Sequence, residues 1–239
     1  VDYLDEIGAA AGKALNVTSV YANGATMNNH YTNIAKGNVV YAKSVNGTAS
    51  ADLVSLNDVL AEGDWDYVIL QDNTIYDGVD AYYEAGTGAA YTEIPVIVAK
   101  IREASPAAKI YASQPTGFDN TFYEAQSDNF KAYIGDVVGT EDFFNASQYI
   151  TSLSAGGIAP SVNSTKDIIG ASYIDSHDQM TTTYAGSAVF INGKNLTEDG
   201  KFFTAAYIYR VLANGATVTN AFVPSGVTDA EGILATING

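Results

Sequence analysis

Apolar residues recur along the first part of this chain at two different periods. Leu4, Ile7 and Ala11 share one face if residues 2 to 14 (DYLDEIGAAAGKA) are helical, and the stretch reads as a helix. The next apolar run, NVTSVYA (16 to 22), is short and β-branched and closes on Asn23-Gly24, which predicts a strand and a turn. Leu53, Leu56, Val59 and Leu60 return to helical spacing, and that helix stops at Glu62-Gly63. WDYVILQ (65 to 71) carries the unbroken run Val68-Ile69-Leu70, the pattern of a strand deeply buried on both faces. A helix over 93 to 104 (EIPVIVAKIREA) breaks at Ser105-Pro106 and hands over to a strand, KIYAS (109 to 113). Residues 122 to 138 read as a further helix and DFFNAS (142 to 147) as a short strand.

From about 151 to 190 the pattern dissolves into Ser, Thr, Gly and Ala, which predicts a loop-rich insertion or a small β excursion. It ends at INGKNLTEDGKFFTAAYIYRVL (191 to 212). Thr197 is the N-cap candidate there, and Glu198 and Asp199 fall in the first turn, where the helix dipole favours acids. Phe202, Phe203, Ala206, Tyr209 and Leu212 supply an apolar face, Arg210 sits in the last turn, and Asn214-Gly215 ends the helix. Helices and strands alternating with short links predict one α/β domain over 1–239, a three-layer sandwich whose parallel sheet is covered on both faces. Ligands of such sheets sit outside the carboxyl ends of the strands. The turns Asn23-Gly24-Ala25, Gln71-Asp72-Asn73, Ser113-Gln114-Pro115 and Asn192 to Asn195 are therefore the places to look for a site. They are amide-rich and nearly devoid of ionisable groups.

Charge narrows the partners. With 11 Lys and Arg against 27 Asp and Glu, the formal net charge is -16. Such a chain opposes nucleic acid and anionic membrane surfaces. No apolar run approaches the roughly 20 residues of a membrane-spanning helix. Cysteine is absent and there are 2 histidines, so neither a disulfide framework nor a thiolate metal site can form, and no metal or cofactor is expected. The acidic, Tyr-, Thr- and Asn-rich, lysine-poor composition is that of many bacterial exported proteins, and the expected place is secreted or at the cell surface. The chain opens on a helical pattern without a leader, as a mature form or a fragment does. Asn-x-Ser/Thr triplets at Asn16, Asn46, Asn145, Asn163 and Asn195 are candidate glycosylation sites.

Other motifs carry less. Asp72, Asp77 and Asp80 lack the spacing of a calcium loop and read as a solvated acidic segment. GAAAGKA (8 to 14) lacks the spacing and the Ser/Thr of a phosphate loop. The tyrosines of DAYYEAGTGAAYTE (80 to 93) suit sugar stacking, but packing explains them more simply.

Three segments together carry a family likeness. WDYVILQDNT resembles the third conserved block of the SGNH, or GDSL-like, hydrolase superfamily, and is most similar to a functionally uncharacterised bacterial branch in which a WDYV-x-LQ strand is typical. VYANGATMNNHYTNIAK looks like that branch's glycine turn followed by a helix bearing a histidine. NLTEDGKFFTAAYIYRVL looks like its closing block, normally Asp-x-x-His-Leu-Thr followed by Gly and a helix. The resemblance spans roughly residues 2 to 230 and implies a flavodoxin-like parallel sheet. It also implies a nucleophilic serine activated by the closing-block histidine, with an oxyanion hole built from backbone N–H groups and an Asn or Gln amide.

Carried onto this sequence, Gly24 matches the second-block glycine and Gln71 or Asn73 the amide donor. Asn195 stands in the place of the catalytic histidine and Asn192 in that of its aspartate. An amide has no useful basicity near neutral pH and cannot take the serine proton. The resemblance further implies a first strand bearing the serine, upstream of Val1 and lying between NVTSVYA and WDYVILQ. His30 reads as a structural or capping histidine. His177 is the conceivable substitute base.

The expectation is a catalytically degenerate, extracellular pseudoenzyme module that serves as a structural, adhesive or binding unit. Its partners would be other subunits or domains of an assembly, or glycans. The alternative is an active serine esterase on acylated carbohydrate whose nucleophile lies upstream of residue 1.

Overall fold

The computed structural model describes residues 2–71, 82, 84, 88–113, 171–174, 186, 188–191 and 195–239. The expected helix at 122–138, DFFNAS and most of the 151–190 segment lie outside them.

Helix α1 (Leu4–Ala10) buries Leu4 and Ile7 as its spacing predicts. It is shorter than the 2 to 14 expected, because Gly12 takes a left-handed φ of 78°. The N–H of Gly12 then bonds to the Ala9 carbonyl and that of Lys13 to Gly8, the paired bonds of a Schellman stop. Strand β1 (Thr18–Tyr21) follows, then α2 (Met27–Lys36). Thr26 and Asn29 close a capping box at the start of α2, and Gly37 in the left-handed region ends it.

The expected parallel placement of β1 is overturned. It pairs antiparallel with β2 (Ala42–Val45), Thr18 opposite Val45 and Tyr21 opposite Ala42, and β2 pairs antiparallel with β3 (Thr48–Ala49). Gly37 turns the chain at the end of α2, so residues 39 to 45 run back beside β1. Asn46-Gly47, with φ of 46° and 71°, then makes the tight turn between β2 and β3 that right-twisted strands favour. Asn46 also fastens that turn to Val17, accepting the Val17 N–H at 2.7 Å through its side chain and donating its own N–H at 2.8 Å.

The parallel sheet is built from β4 (Tyr67–Gln71), β5 (Lys109–Ser113) and β6 (Ala171–Ile174), in that order. Tyr67 aligns with Lys109, and Ile110 with Ala171. The last strand lies within the stretch where composition predicts loops or a small β excursion, and it joins the parallel sheet. Burial is also redistributed. Val68, Ile69 and Leu70 are half-buried instead of deeply buried, while Ile110 and Tyr111 of β5 are 1% and 3% exposed. The strand with neighbours on both sides is β5; among the described strands β4 ends the ladder.

Helix α3 (Leu56–Leu60) starts on Ser55, whose hydroxyl caps Asp58 N–H. Helix α4 (Ala90–Ala104) places Ala90, Ile94, Ile97, Val98 and Ile101 in the core, one apolar stripe at helical spacing. Helix α5 (Glu198–Leu212) starts at Thr197 as expected, and Thr197 Oγ1 accepts the Gly200 N–H at 3.1 Å. It is buried around most of its circumference, Asp199 and Arg210 included, where one apolar face was expected. Helix α6 (Ala230–Asn238), capped by Asp229, closes the chain and buries Ile233, Leu234 and Ile237. Helices α1 and α6 both pack on α5, while α3 and α4 pack on α2. The fold is therefore α/β, with one parallel and one antiparallel three-stranded sheet.

Candidate functional site

The turn after β1 is shaped by a hydrogen bond and a glycine. The Ala25 N–H donates to the Ala22 carbonyl at 3.0 Å, and Gly24 takes a φ of 70° while Asn23 stays on the ordinary side. That is a type II turn, and position three of it suits glycine. The turn is exposed, and the Gly24 N–H bonds to no described residue. Directly beyond it, Asn28 in the first turn of α2 donates to Glu93 Oε1 at 2.7 Å, and Tyr82 Oη donates to Glu93 Oε2 at 3.0 Å. The starts of α2 and α4 are thereby tied together. Gln71 lies exposed at the carboxyl end of β4.

A second group forms around the start of α5. Asn195 and Leu196 make β8, pairing antiparallel with β7 (Phe190–Ile191) and Ile191 opposite Asn195. Gly200 is required just beyond, since a Cβ there would meet the Val189 carbonyl oxygen at 2.2 Å. Tyr3 Oη, at the start of α1, donates to Glu198 Oε2. Lys201 donates to Glu198 Oε1 at 2.8 Å and lies 4.0 Å from Asp2. The Lys201 bond, and then that of Tyr3, holds the Glu198 carboxyl below its ordinary range. Bonding to Glu198 in turn pushes the Tyr3 phenol up to about 12, so it remains a donor throughout the neutral range. A cavity of about 250 Å³ opens beside this group, between Asp2, Tyr3, Asp5 and Glu6 of the chain start and Val17, Ser19, Ser44 and Gly47 of the antiparallel sheet. A hydrogen bond with Asp5, followed by burial, raises the Glu6 carboxyl above its ordinary range.

His30 belongs to neither group. Its Nδ1 lies 2.8 Å from the hydroxyl of Tyr41, a residue with 0% exposure, and the rings stack at 5.6 Å. Asn33 donates to the same hydroxyl at 3.0 Å. With that oxygen accepting from Asn33, its proton is free to go to His30, whose Nδ1 must then be the unprotonated nitrogen. Burial lowers the imidazole to about 4, and the ring is neutral at physiological pH. This matches the structural role expected of it.

Asn73, Asn192 and His177, candidate sequons Asn145 and Asn163, and the acidic residues Asp72, Asp77 and Asp80 lie outside the described residues, as does the side chain of Asn195. Asn16 and Asn46 are exposed. Among the described residues no group of His, Asp and Glu could hold a metal ion, and no helix is long and apolar enough to cross a membrane. Two residues that organise the second group, Tyr3 and Asp199, were not singled out for it by the sequence. Asp199 is buried and accepts from the Thr228 N–H, the Thr228 hydroxyl and the Asp229 N–H, each at 2.9 Å, fixing α6 onto α5. Their partners are far along the chain, and local spacing carries no sign of them.

No family model matches the chain. No curated protein matches it either. Among solved structures, the chain is similar to the crystal structure of a DUF4886 family protein from Bacteroides uniformis. The TM-score is 0.69 at 18% identity, over 99% of this chain and 87% of that one. Likeness at that identity is a likeness of fold.

Proposed function

We propose that this chain is an SGNH-like module, a three-layer sandwich with a flavodoxin-like sheet, that has lost hydrolase chemistry. It serves as a binding, adhesive or structural unit of a secreted or cell-surface protein, with other subunits or glycans as partners. One observation carries the proposal. Asn195 and Asn192 occupy the places where the resemblance asks for the histidine and its aspartate, and neither amide accepts a proton at neutral pH. The surroundings of His30 support it. The Nδ1 of that ring is engaged by the Tyr41 hydroxyl, and burial leaves the imidazole too weakly basic to stand in for the missing base. On that resemblance the Gly24 N–H and the exposed Gln71 amide would be what is left of an oxyanion pocket after its base is gone, donors that polarise a bound carbonyl or sugar hydroxyl without transferring a proton.

The test is a hydrolase assay on purified full-length protein with short-chain aryl esters and acetylated sugars, run beside a glycan array. No turnover is expected. Turnover abolished by replacing one side chain of the cleft would establish the alternative, an esterase on acylated carbohydrate with its serine upstream of residue 1. A coding sequence that reads Gly-Asn-Ser or Gly-Asp-Ser at the end of a strand just before residue 1 would point the same way.

A further inference from the structure

Five Asn-Gly pairs punctuate the sequence, at Asn23, Asn46, Asn192, Asn214 and Asn238. In each, the following glycine lacks the side chain that would hinder attack by its backbone nitrogen on the asparagine amide. The shared dipeptide equalises the intrinsic chemistry, so differences in rate come from the structure. We propose that Asn23, in the exposed turn after β1, is a site of spontaneous deamidation, selected over Asn46, Asn214 and Asn238 by that turn.

The step is a ring closure. The Gly24 nitrogen loses its proton and bonds to Asn23 Cγ, the Cγ–Nδ2 bond breaks, and Nδ2 leaves as ammonia. Water then opens the resulting succinimide at either carbonyl, leaving aspartate or isoaspartate at position 23. No electrons are exchanged, and solvent water is the sole co-reactant. The nitrogen must be unencumbered and the side chain able to swing onto it.

Asn23 meets both conditions. It is exposed, its side chain bonds to no described residue, and the Gly24 N–H is equally unbonded. Gly24 has open space around it, with nothing within 4 Å of where a Cβ would stand. The other three described pairs each fail a condition. The Gly215 nitrogen donates to the Arg210 carbonyl at 2.8 Å, closing the end of α5. The Gly239 nitrogen donates to the Ala235 carbonyl at 3.0 Å. The Asn238 amide is moreover held by the Val218 N–H at 2.9 Å, the Val218 carbonyl at 2.8 Å and Arg210 at 3.2 Å. At Asn46 the side-chain carbonyl is fastened to the Val17 N–H at 2.7 Å.

Conversion at Asn23 adds a negative charge to a chain already at -16. Its isoaspartate form adds a methylene to the main chain one bond before the Gly24 N–H, which displaces that donor.

Full-length protein incubated at mildly alkaline pH and 37 °C, sampled over weeks and mapped by mass spectrometry with isoaspartate detection, tests this. Asn23 is expected to convert first among the four. Asn214 and Asn238 should lag by about tenfold or more, the factor that a retained hydrogen bond of about 1.4 kcal/mol imposes. In urea the four rates should converge. The assignment is overturned if Asn46, Asn214 or Asn238 converts as fast as Asn23 in the folded protein, or if Asn23 leads by the same margin in urea.

Discussion

Acid should destabilise this protein through His30 in a way that one substitution isolates. Burial lowers the folded imidazole to about 4 from an ordinary value of 6.5. The unfolded chain therefore binds the proton more readily, and the sign follows: stability is full above pH 6.5 and is lost as pH falls through the window from 6.5 to 4. A difference of about 2.5 units corresponds to about 3 kcal/mol, reduced by whatever water reaches the half-buried ring. The cost has a structural reading. A protonated Nδ1 would have to donate to a hydroxyl that already accepts from Asn33, and the proton of the buried Tyr41 would lose its acceptor. His30→Gln keeps a side-chain oxygen for the Tyr41 proton and removes the titration. Urea unfolding followed by far-UV circular dichroism at pH 8, 6, 5 and 4 is the assay, with the wild type compared with His30→Gln at each pH. Carboxylates protonate in both proteins and cancel in the comparison. The wild type is expected to lose up to about 3 kcal/mol relative to the variant between pH 8 and 4. Parallel curves, or a wild type that gains on the variant in acid, would refute the reasoning.

Asp199→Ala should cost about 3 kcal/mol by thermal unfolding, since it strips three donors at the start of α6 of their acceptor; a loss under about 1 kcal/mol would mean water replaces the carboxylate. Asn195→His alone should produce no esterase, because nucleophile and orienting acid act with the base as a unit, and measurable ester turnover in that variant would show the site misread.

Local chemistry was legible from the start. The start of α5, the α4 stripe and the strands β4 and β5 follow from residues within one or two turns of each other, a cap or a period, whereas α3 starts only after Ser55 and leaves the expected Leu53 outside it and exposed. Such signals need no partner, which is why Thr197 as N-cap and Asn214-Gly215 as terminator survive into the structure. The hairpin at Asn46-Gly47 and the helix α6 capped by Asp229 were not among the sequence expectations and came from the structure. Of the candidate site, only the side-chain identity of Asn192 and Asn195 was legible: neither amide takes a proton near neutral pH.

What tertiary structure alone decided is which elements meet. The strand β1 was recognisable as a strand, yet its antiparallel pairing with β2 was not, because every backbone offers the same N–H and C=O groups and the partner is chosen by how the intervening chain returns. The short segment β6, Ala-Ser-Tyr-Ile, lies beside β5 through main-chain bonding, which composition does not report. Half-burial of Val68, Ile69 and Leu70 reflects the position of β4 at the end of its ladder, whereas their hydrophobicity is the same wherever the strand lies. Tyr3 reaches Glu198 across 195 positions of sequence, and His30 turns to Tyr41 across a helix end. Hydropathy and spacing fix what each segment can be; the close approach of distant segments, where a proton or a carboxylate finds its neighbour, exists only once the core has closed.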